Sequence, residues 1–262
     1  MKERVISAVV ASLIAVPLII LGGVFFGIGV CLLGVLAFKE LLELPKTHGH
    51  IPCMMVFLGL ISLILLILSN NIIGGCFPFY SYQLLSIVVL LVLLPTIFYE
   101  KGVYKPSDAF MLLAIIIFLG LTFSTLIKVR MDSLWLFVFL IVVPMINDIF
   151  AFLIGKRWGK HKLCPLISPK KTWEGSIGGL LFGLAGGLAI YGTLVGSITL
   201  KVVLLVATLS VIGQMGDLVM SQIKRENGIK DFSNLMPGHG GILDRLDSTI
   251  FVFLTYMFLM SL

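Results

Sequence analysis

The stretch that decides the fold is Ser221 to Asp247, which reads SQIKRENGIKDFSNLMPGHGGILDRLD. It contains four of the nineteen Lys and Arg residues and four of the thirteen Asp and Glu residues of the chain. Apolar, nearly charge-free segments lie on both sides of it. Because such segments are long enough to cross a lipid bilayer, the polar stretch between them is expected to lie at a membrane surface and to carry chemistry there.

The composition of the chain supports this interpretation. The 262 residues are 59% hydrophobic and only 12% charged, whereas soluble domains are about 25% charged. A soluble core of this length could not hide so much apolar surface, so the sequence predicts an all-α polytopic membrane protein. The net charge of +6 is attributed to Lys and Arg in cytoplasmic loops, and no nucleic-acid partner is expected.

A helix that spans a bilayer needs roughly 20 mostly apolar residues. A single helix over residues 5–38 would be about 50 Å long, far more than the ~30 Å hydrocarbon core, so a break is expected at Gly22 and Gly23. The sequence then predicts nine spans, at 5–21, 24–38, 51–69, 83–99, 108–127, 134–154, 174–195, 200–220 and 248–262. These give an N-terminal region, 1–133, with about five spans, and a C-terminal catalytic region, 134–262, with polar loops at 155–173 and 221–247.

The distribution of cations predicts the orientation of these spans. With the N-terminus in the cytoplasm, sixteen Lys and Arg residues fall on the cytoplasmic side, and only Lys128, Arg130 and Lys201 fall on the other. Positive residues collect in cytoplasmic loops, so both polar loops are expected to face the cytoplasm. Lys39, Glu40 and Glu43, at the exit of the second span, are interpreted as a solvated turn at the membrane interface.

Asp217 lies inside the apolar eighth span, where an acidic residue is costly and is a functional hypothesis by default. Ser221 is four residues further on and Lys224 seven. Residues at this spacing share one face of a helix. The sequence therefore predicts a polar face at the cytoplasmic end of this span.

Asp244 and Asp247 are three residues apart at the start of the last span, so their like charges fall on one helix face and repel. A bound cation, with Arg245 as a partial counter-charge, would relieve this repulsion, and carboxylates are ligands that Mg²⁺ prefers. The preceding turn, PGHGG at 237–241, brings backbone N–H groups within reach of a phosphate, although a sharp turn that re-enters the membrane explains the glycines equally well. His239 is a candidate to donate a hydrogen bond to a phosphate oxygen or to act as an acid.

Asp148, near the cytoplasmic end of the sixth span, is a second acidic residue at membrane depth. It is either functional or a carboxylate paired with nearby Lys156 or Arg157. Lys170 and Lys171 follow in the same polar loop, and the sequence leaves open whether they contact anionic headgroups or clamp the phosphates of a ligand. Acidic residues for a metal and cations for phosphate together suit phosphoryl or nucleotidyl transfer, whereas no nucleophile–His–acid set for acyl transfer is visible.

The spacing of this signature resembles that of the phosphatidate cytidylyltransferase family. The resemblance rests on residues 221–225, 230–231 and 237–247, and extends to SPKKTWEG at 168–175 and to the segment 148–155. Met236 and Phe152 depart mildly from the family pattern, and the latter removes a hydroxyl, so no polar role is expected at 152.

The resemblance implies a reaction in which CTP and phosphatidate give CDP-diacylglycerol and pyrophosphate with Mg²⁺, and a second metal ion is left open. It implies Asp217 and Asp244 as direct metal ligands, with Asp247 and Asp231 as further ligands or their hydrogen-bond partners. Ser221 would bond a phosphate or a metal-bound group. The implied phosphate contacts are Lys224, Arg225, Lys230, Gly240, Gly241, Arg245, Lys170 and Lys171. The resemblance also implies a bacterial-type inner membrane as the location.

Two alternatives remain open from the sequence. The first is a CTP-dependent polyprenol or phytol kinase, or a cytidylyltransferase that acts on another anionic lipid. The second is a cation-coupled transporter that uses Asp148 and Asp217 as ion sites, although transporters do not need six or more phosphate-binding cations. The oligomeric state is also open, with a homodimer as one alternative.

Overall fold

The computed structural model describes residues 2–45, 51–69, 81–100, 102–236, 238 and 240–259. This part of the chain is predominantly helical. Its α-helices are α1 Lys2–Leu21, α2 Gly23–Leu42, α3 Cys53–Leu68, α4 Ser81–Leu93, α5 Pro106–Asp132, α6 Leu134–Trp158, α7 Trp173–Ile190, α8 Leu200–Glu226 and α9 Leu243–Leu259. A 3₁₀-helix, Leu94–Ile97, continues α4, and a π-helix, Tyr191–Val195, continues α7.

Each of the nine predicted spans overlaps one of these helices, and the last three residues of the ninth span lie outside the described residues. Within the described residues, five helices are long and apolar enough to cross a bilayer: α2, α5, α6, α7 with its π-helical continuation, and α8. Three apolar stretches are shorter, Val9–Leu21, Cys53–Leu68 and Gln83–Ile97. The predicted class, an all-α polytopic membrane protein, agrees with these helices.

The predicted break between the first two helices is confirmed. Gly22 and Gly23 have φ angles of 64° and 56°, which residues with a side chain rarely adopt. The guanidinium of Arg130 lies against Gly22, where it donates to the carbonyl oxygens of Ile19 at 2.6 Å and Ile20 at 3.0 Å. These carbonyls belong to the last turn of α1 and have no partner within the helix, so Arg130 caps α1 at the break.

The chain forms two compact units. Unit 1 consists of Met1–Asp132 and Asp231–Arg245, and unit 2 consists of Ser133–Lys230 and Leu246–Leu262. The first division falls one residue from the predicted boundary at 133. The segment Asp231–Arg245, which the sequence analysis placed in the C-terminal region, belongs to unit 1.

Close packing of α6 against α7 organises unit 2. Small residues let two helix backbones approach within a membrane, and α7 buries Gly175, Gly178, Gly179, Gly183 and Gly187. A methyl group at Gly178 would collide with the side chain of Ile154 on α6. The hydroxyl of Thr172 accepts a hydrogen bond from the N–H of Gly175 at 3.2 Å and so caps the start of α7.

The first polar loop contains a β-hairpin that the sequence analysis did not anticipate. Strands β1, Lys162–Cys164, and β2, Ser168–Thr172, pair antiparallel with an irregular register. The carboxylate of Glu174 accepts hydrogen bonds from the backbone N–H groups of Lys160 at 3.1 Å and His161 at 3.2 Å. It also lies 2.6 Å from the Nδ1 atom of His161. These contacts fix the hairpin at the start of α7, and β2 carries Lys170 and Lys171.

Candidate active site

Three carboxylates from different helices come together in unit 2. Asp148 lies on α6, Asp217 on α8 and Asp247 on α9. They are close enough for each pair to repel electrostatically. We call these three residues the carboxylate cluster. All three are candidate residues from the sequence, which left open whether Asp148 meets the C-terminal aspartates.

Lys171 reaches the cluster from the hairpin. Its Nζ atom lies 2.5 Å from the Oδ2 atom of Asp217 and 3.4 Å from the carbonyl oxygen of Gln214. The hydroxyl of Ser221 donates to the Oδ1 atom of Asp217 at 3.3 Å, across one helical turn. Each oxygen of this carboxylate therefore has a partner, one cationic and one neutral. The predicted shared face of Asp217 and Ser221 is confirmed.

The other two carboxylates have their own contacts. The hydroxyl of Ser248 lies 3.3 Å from the Oδ2 atom of Asp148 and 3.4 Å from the Oδ1 atom of Asp247. Lys171 attracts Asp148, and Lys224, which is nearly buried on α8, attracts Asp247. The structure thus pairs Asp148 electrostatically with a hairpin lysine and not with the neighbours considered in the sequence analysis. Two ammonium groups face three carboxylates.

A buried network of uncharged polar side chains joins α6, α7 and α8 beside the cluster. The amide nitrogen of Asn147 donates to the carbonyl oxygen of Ser210 at 2.7 Å. The amide nitrogen of Gln214 donates to the Oδ1 atom of Asn147 at 2.9 Å and to the carbonyl oxygen of Ser176 at 3.1 Å. The hydroxyl of Ser176 donates to the amide oxygen of Gln214. Sequence reasoning missed this network, although amide side chains inside apolar spans were a visible signal.

The donor set of the cluster fits a hard divalent cation. Mg²⁺ is usually held by one or two carboxylates, with water and substrate phosphates completing its coordination. Carboxylate and hydroxyl oxygens are the groups present here. Over the described ranges, no three acidic, His or Cys side chains are arranged to hold a metal ion without help. A substrate phosphate would therefore be part of any Mg²⁺ site at this cluster.

Asp244 has a different environment, in unit 1. Its Oδ2 atom accepts hydrogen bonds from the N–H groups of Phe232 at 2.8 Å and Gly241 at 2.9 Å. Gly240 donates to the carbonyl oxygen of Met236 at 3.1 Å and accepts from its N–H at 2.9 Å. The N–H groups of Gly240 and Gly241 therefore both donate within the chain, and a phosphate would have to displace these hydrogen bonds.

Glu40, on α2, also contacts this part of unit 1. Its carboxylate accepts hydrogen bonds from the hydroxyl of Ser233 at 2.7 Å and from the N–H groups of Ile242 at 2.8 Å and Leu243 at 2.9 Å. The residue is only 3% exposed. The interpretation of Glu40 as part of a solvated turn is therefore wrong, because its partners lie about two hundred residues away and leave no local pattern.

The remaining predicted site residues have simpler surroundings. Arg225 donates to the carbonyl oxygens of Ile167, at the tip of the hairpin, and of Ile229, so it ties the hairpin to the end of α8. His239 lies outside the described residues. Exposed side chains are those of Lys170, Lys230, Asp231 and Arg245.

Comparison with known proteins identifies the family of this chain. The model of the cytidylyltransferase family matches residues 2–262. Proteins named phosphatidate cytidylyltransferase are 36% identical in Staphylococcus saprophyticus, 34% in Staphylococcus haemolyticus and 34% in Staphylococcus aureus, each over 96% of both chains. The resemblance inferred from the signature is confirmed, and the chain belongs to the cytidylyltransferase family.

Proposed function

We propose that this protein transfers CMP from CTP to phosphatidate and releases CDP-diacylglycerol and pyrophosphate. The observation that carries the proposal is the carboxylate cluster with Lys171 and Lys224 beside it. Three acidic and two cationic groups on apolar helices suit a reaction between a nucleoside triphosphate and the phosphate of a lipid. The relatives named phosphatidate cytidylyltransferase support the same reaction.

In the proposed reaction, an oxygen of the phosphatidate phosphate attacks the α-phosphorus of CTP in line. The bond between the α-phosphorus and its bridging oxygen breaks, and pyrophosphate leaves with that electron pair. Transfers of this kind need positioning and charge neutralisation more than covalent help from the protein. A lipid acceptor agrees with the apolar helices around the cluster.

Asp217 and Asp247, with Asp148 beside them, would hold Mg²⁺ together with phosphate oxygens. Mg²⁺, when bound, supplies positive charge that offsets the charge of the phosphates. Lys171 and Lys224 would exchange part of their contact with the carboxylates for contact with the substrate phosphates. Ser221 holds one oxygen of Asp217 and so keeps that carboxylate in one orientation. A second metal ion is a further prediction.

The remaining site residues stay predictions from the family resemblance. Asp244 is predicted as a metal ligand. Arg225 already donates to two carbonyl oxygens and would have to exchange one of these bonds to hold a phosphate. The other predicted contacts to metal or phosphate are those of Asp231, His239, Gly240, Gly241, Arg245, Lys170 and Lys230.

We further propose that all nine helices cross the inner membrane of a bacterial cell, with the N-terminus and the cluster on the cytoplasmic side. The asymmetric distribution of Lys and Arg supports this orientation. Reporter fusions after Gly196 and after Gly228 test it. The first should report a non-cytoplasmic position and the second a cytoplasmic one, and the reverse result would contradict the orientation.

The reaction is tested with purified protein in detergent, phosphatidate, and CTP radiolabelled at either its α- or its γ-phosphate. CMP transfer puts the α-label, and not the γ-label, into chloroform-extractable lipid, and this should require Mg²⁺. A lipid kinase would instead transfer the γ-label. Cation-driven uptake into proteoliposomes without CTP, together with no labelled lipid, would favour a transporter and refute the proposal.

A further inference from the structure

The carboxylate of Glu40 is an unusual group for its position. It lies in the last turns of α2, it is almost completely buried, and it accepts three hydrogen bonds from Ser233, Ile242 and Leu243. All three of these donors are uncharged. Burying a carboxylate is costly unless hydrogen bonds satisfy it, so these contacts must hold for the charge to be tolerated.

The donors belong to the signature segment that leads into α9. The N–H groups of Gly241, Ile242 and Leu243 are consecutive, and the first of them donates to Asp244 while the next two donate to Glu40. N–H groups at the start of a helix have no partner within the helix. Glu40 therefore caps α9 from another helix, while Asp244 closes the same turn from within.

The contact is close enough to explain one glycine of the signature. A methyl group at Gly241 would collide with both carboxylate oxygens of Glu40. Ser233, at the other end of the segment, donates to the same Oε1 atom that accepts from Ile242. One carboxylate oxygen thus joins both ends of the segment 233–242.

We propose that Glu40 is a positioning residue for CMP transfer. It fixes Ser233, Ile242 and Leu243 and thereby the backbone from which Asp244 projects. This inference rests on the proposed function and on the role of Asp244 that the family resemblance implies. Both oxygens of Glu40 are engaged in holding the chain, so it acts through the segment and does not touch the substrate.

The test compares Glu40→Ala and Glu40→Gln with the control Glu43→Gln in the full-length protein. Glu43 lies one turn further on, is exposed, and pairs with Lys39 at 3.6 Å. Two readouts are measured: hydrogen–deuterium exchange of the amides of Ile242 and Leu243, and kcat and KM for CTP. The exchange measurement does not depend on activity.

For Glu40→Ala, exchange at Ile242 and Leu243 should rise about tenfold or more because the acceptor is lost. The kcat should fall about 10- to 100-fold because the segment is misplaced, while the KM for CTP stays within about threefold. Glu40→Gln should give intermediate values, since its amide oxygen can replace Oε1 but its NH₂ group cannot accept from Leu243. Glu43→Gln should match the unmodified protein.

Ser233→Ala supplies a milder variant in case Glu40→Ala does not fold. Alone it should lower kcat by about two- to fivefold, because the hydrogen bond from Ser233 to the Oε1 atom of Glu40 is lost. Unchanged kcat in both Ser233→Ala and Glu40→Gln would overturn the proposal.

Other outcomes also decide the matter. Faster exchange with kcat within about twofold of the unmodified protein would show a cap without a positioning role. Unchanged exchange in both Glu40 variants would refute the anchor itself. If the unmodified protein transfers no α-label, the proposed function fails and the positioning role fails with it, while the exchange measurement still reports on the anchor.

Discussion

The molecule holds two sets of carboxylates in two different ways. In unit 1, Glu40 and Asp244 are satisfied by neutral N–H and hydroxyl groups at 2.7–2.9 Å. In unit 2, Asp148, Asp217 and Asp247 repel one another and rely on two lysines and two serine hydroxyls. The number of charges and the type of donor separate the two environments.

This difference separates two uses of the same chemical group. Backbone N–H groups cannot leave without unfolding a turn, so a carboxylate that they satisfy holds the chain in place. Lysine side chains can move, and repulsion among carboxylates favours the arrival of another cation. The cluster in unit 2 is therefore suited to exchanging its partners during a reaction, whereas the contacts of Glu40 are suited to staying.

The largest expected effect is that of Asp217→Asn. Removing a charge that would hold the cation should lower kcat for CMP transfer by about 10³-fold or more. Transfer of the α-label from CTP measures this, with thermal denaturation as a check on folding. Asp132→Asn, at the exposed end of α5, is the matched control. Near-normal turnover in Asp217→Asn would remove the cluster from the reaction.

Gln214→Leu tests how much the polar network beside the cluster stabilises the fold. The change removes the hydrogen bonds of Gln214 to the Oδ1 atom of Asn147 and to Ser176, which should cost about 2–4 kcal/mol of stability. Thermal denaturation in detergent measures the loss. Gln222→Leu on the same helix, where the side chain bonds exposed Glu226, should change the Tm little. Equal effects of the two changes would argue against the network.

Glu40→Gln should lower stability, whereas Asp148→Asn should not. The first disrupts a satisfied carboxylate and should cost about 1–3 kcal/mol, or several degrees in Tm. The second removes one of three repelling charges, so the Tm should stay the same or rise. A large drop in the Tm of Asp148→Asn would mean that its contacts to Ser248 and Lys171 outweigh the repulsion.

Lys171→Met should have the smallest effect of the four. It removes one of the two ammonium groups beside the cluster, so the KM for CTP should rise or kcat should fall by about tenfold. Steady-state kinetics with α-labelled CTP measure this. The control is Lys201→Met, at the exposed start of α8. Unchanged kcat and KM in Lys171→Met would mean that this lysine contributes only surface charge.

Local patterns in the sequence predict much of the fold. Apolar length predicts the nine α-helices of the described part of the chain, and the glycine pair predicts the break at Gly22 because no other residue adopts its backbone conformation readily. The acidic residues within apolar spans single out Asp148 and Asp217, since such residues are costly in lipid. These features depend on composition within one or two turns, which a single sequence contains.

Other features depend on contacts between distant segments and were missed. In the sequence, Glu40 has the same apparent surroundings as its exposed neighbour Glu43. Only the folded chain places Ser233 and Leu243 beside it. The hairpin at 162–172 has only two short strands, and because of its lysines the sequence shows no clear alternation of apolar and polar residues there. Charge spacing alone did not show that Asp244 closes its own turn, because the same spacing equally suits a metal site.

The divided course of unit 1 has a consequence for how the chain is made. Its first 132 residues leave the ribosome well before Asp231–Arg245, which completes the unit. During that interval Glu40 lacks its three donors, and a nascent chain that stops before residue 231 never acquires them. Since an unsatisfied carboxylate is unstable in an apolar setting, truncated products should be recognisable to membrane proteases at α2.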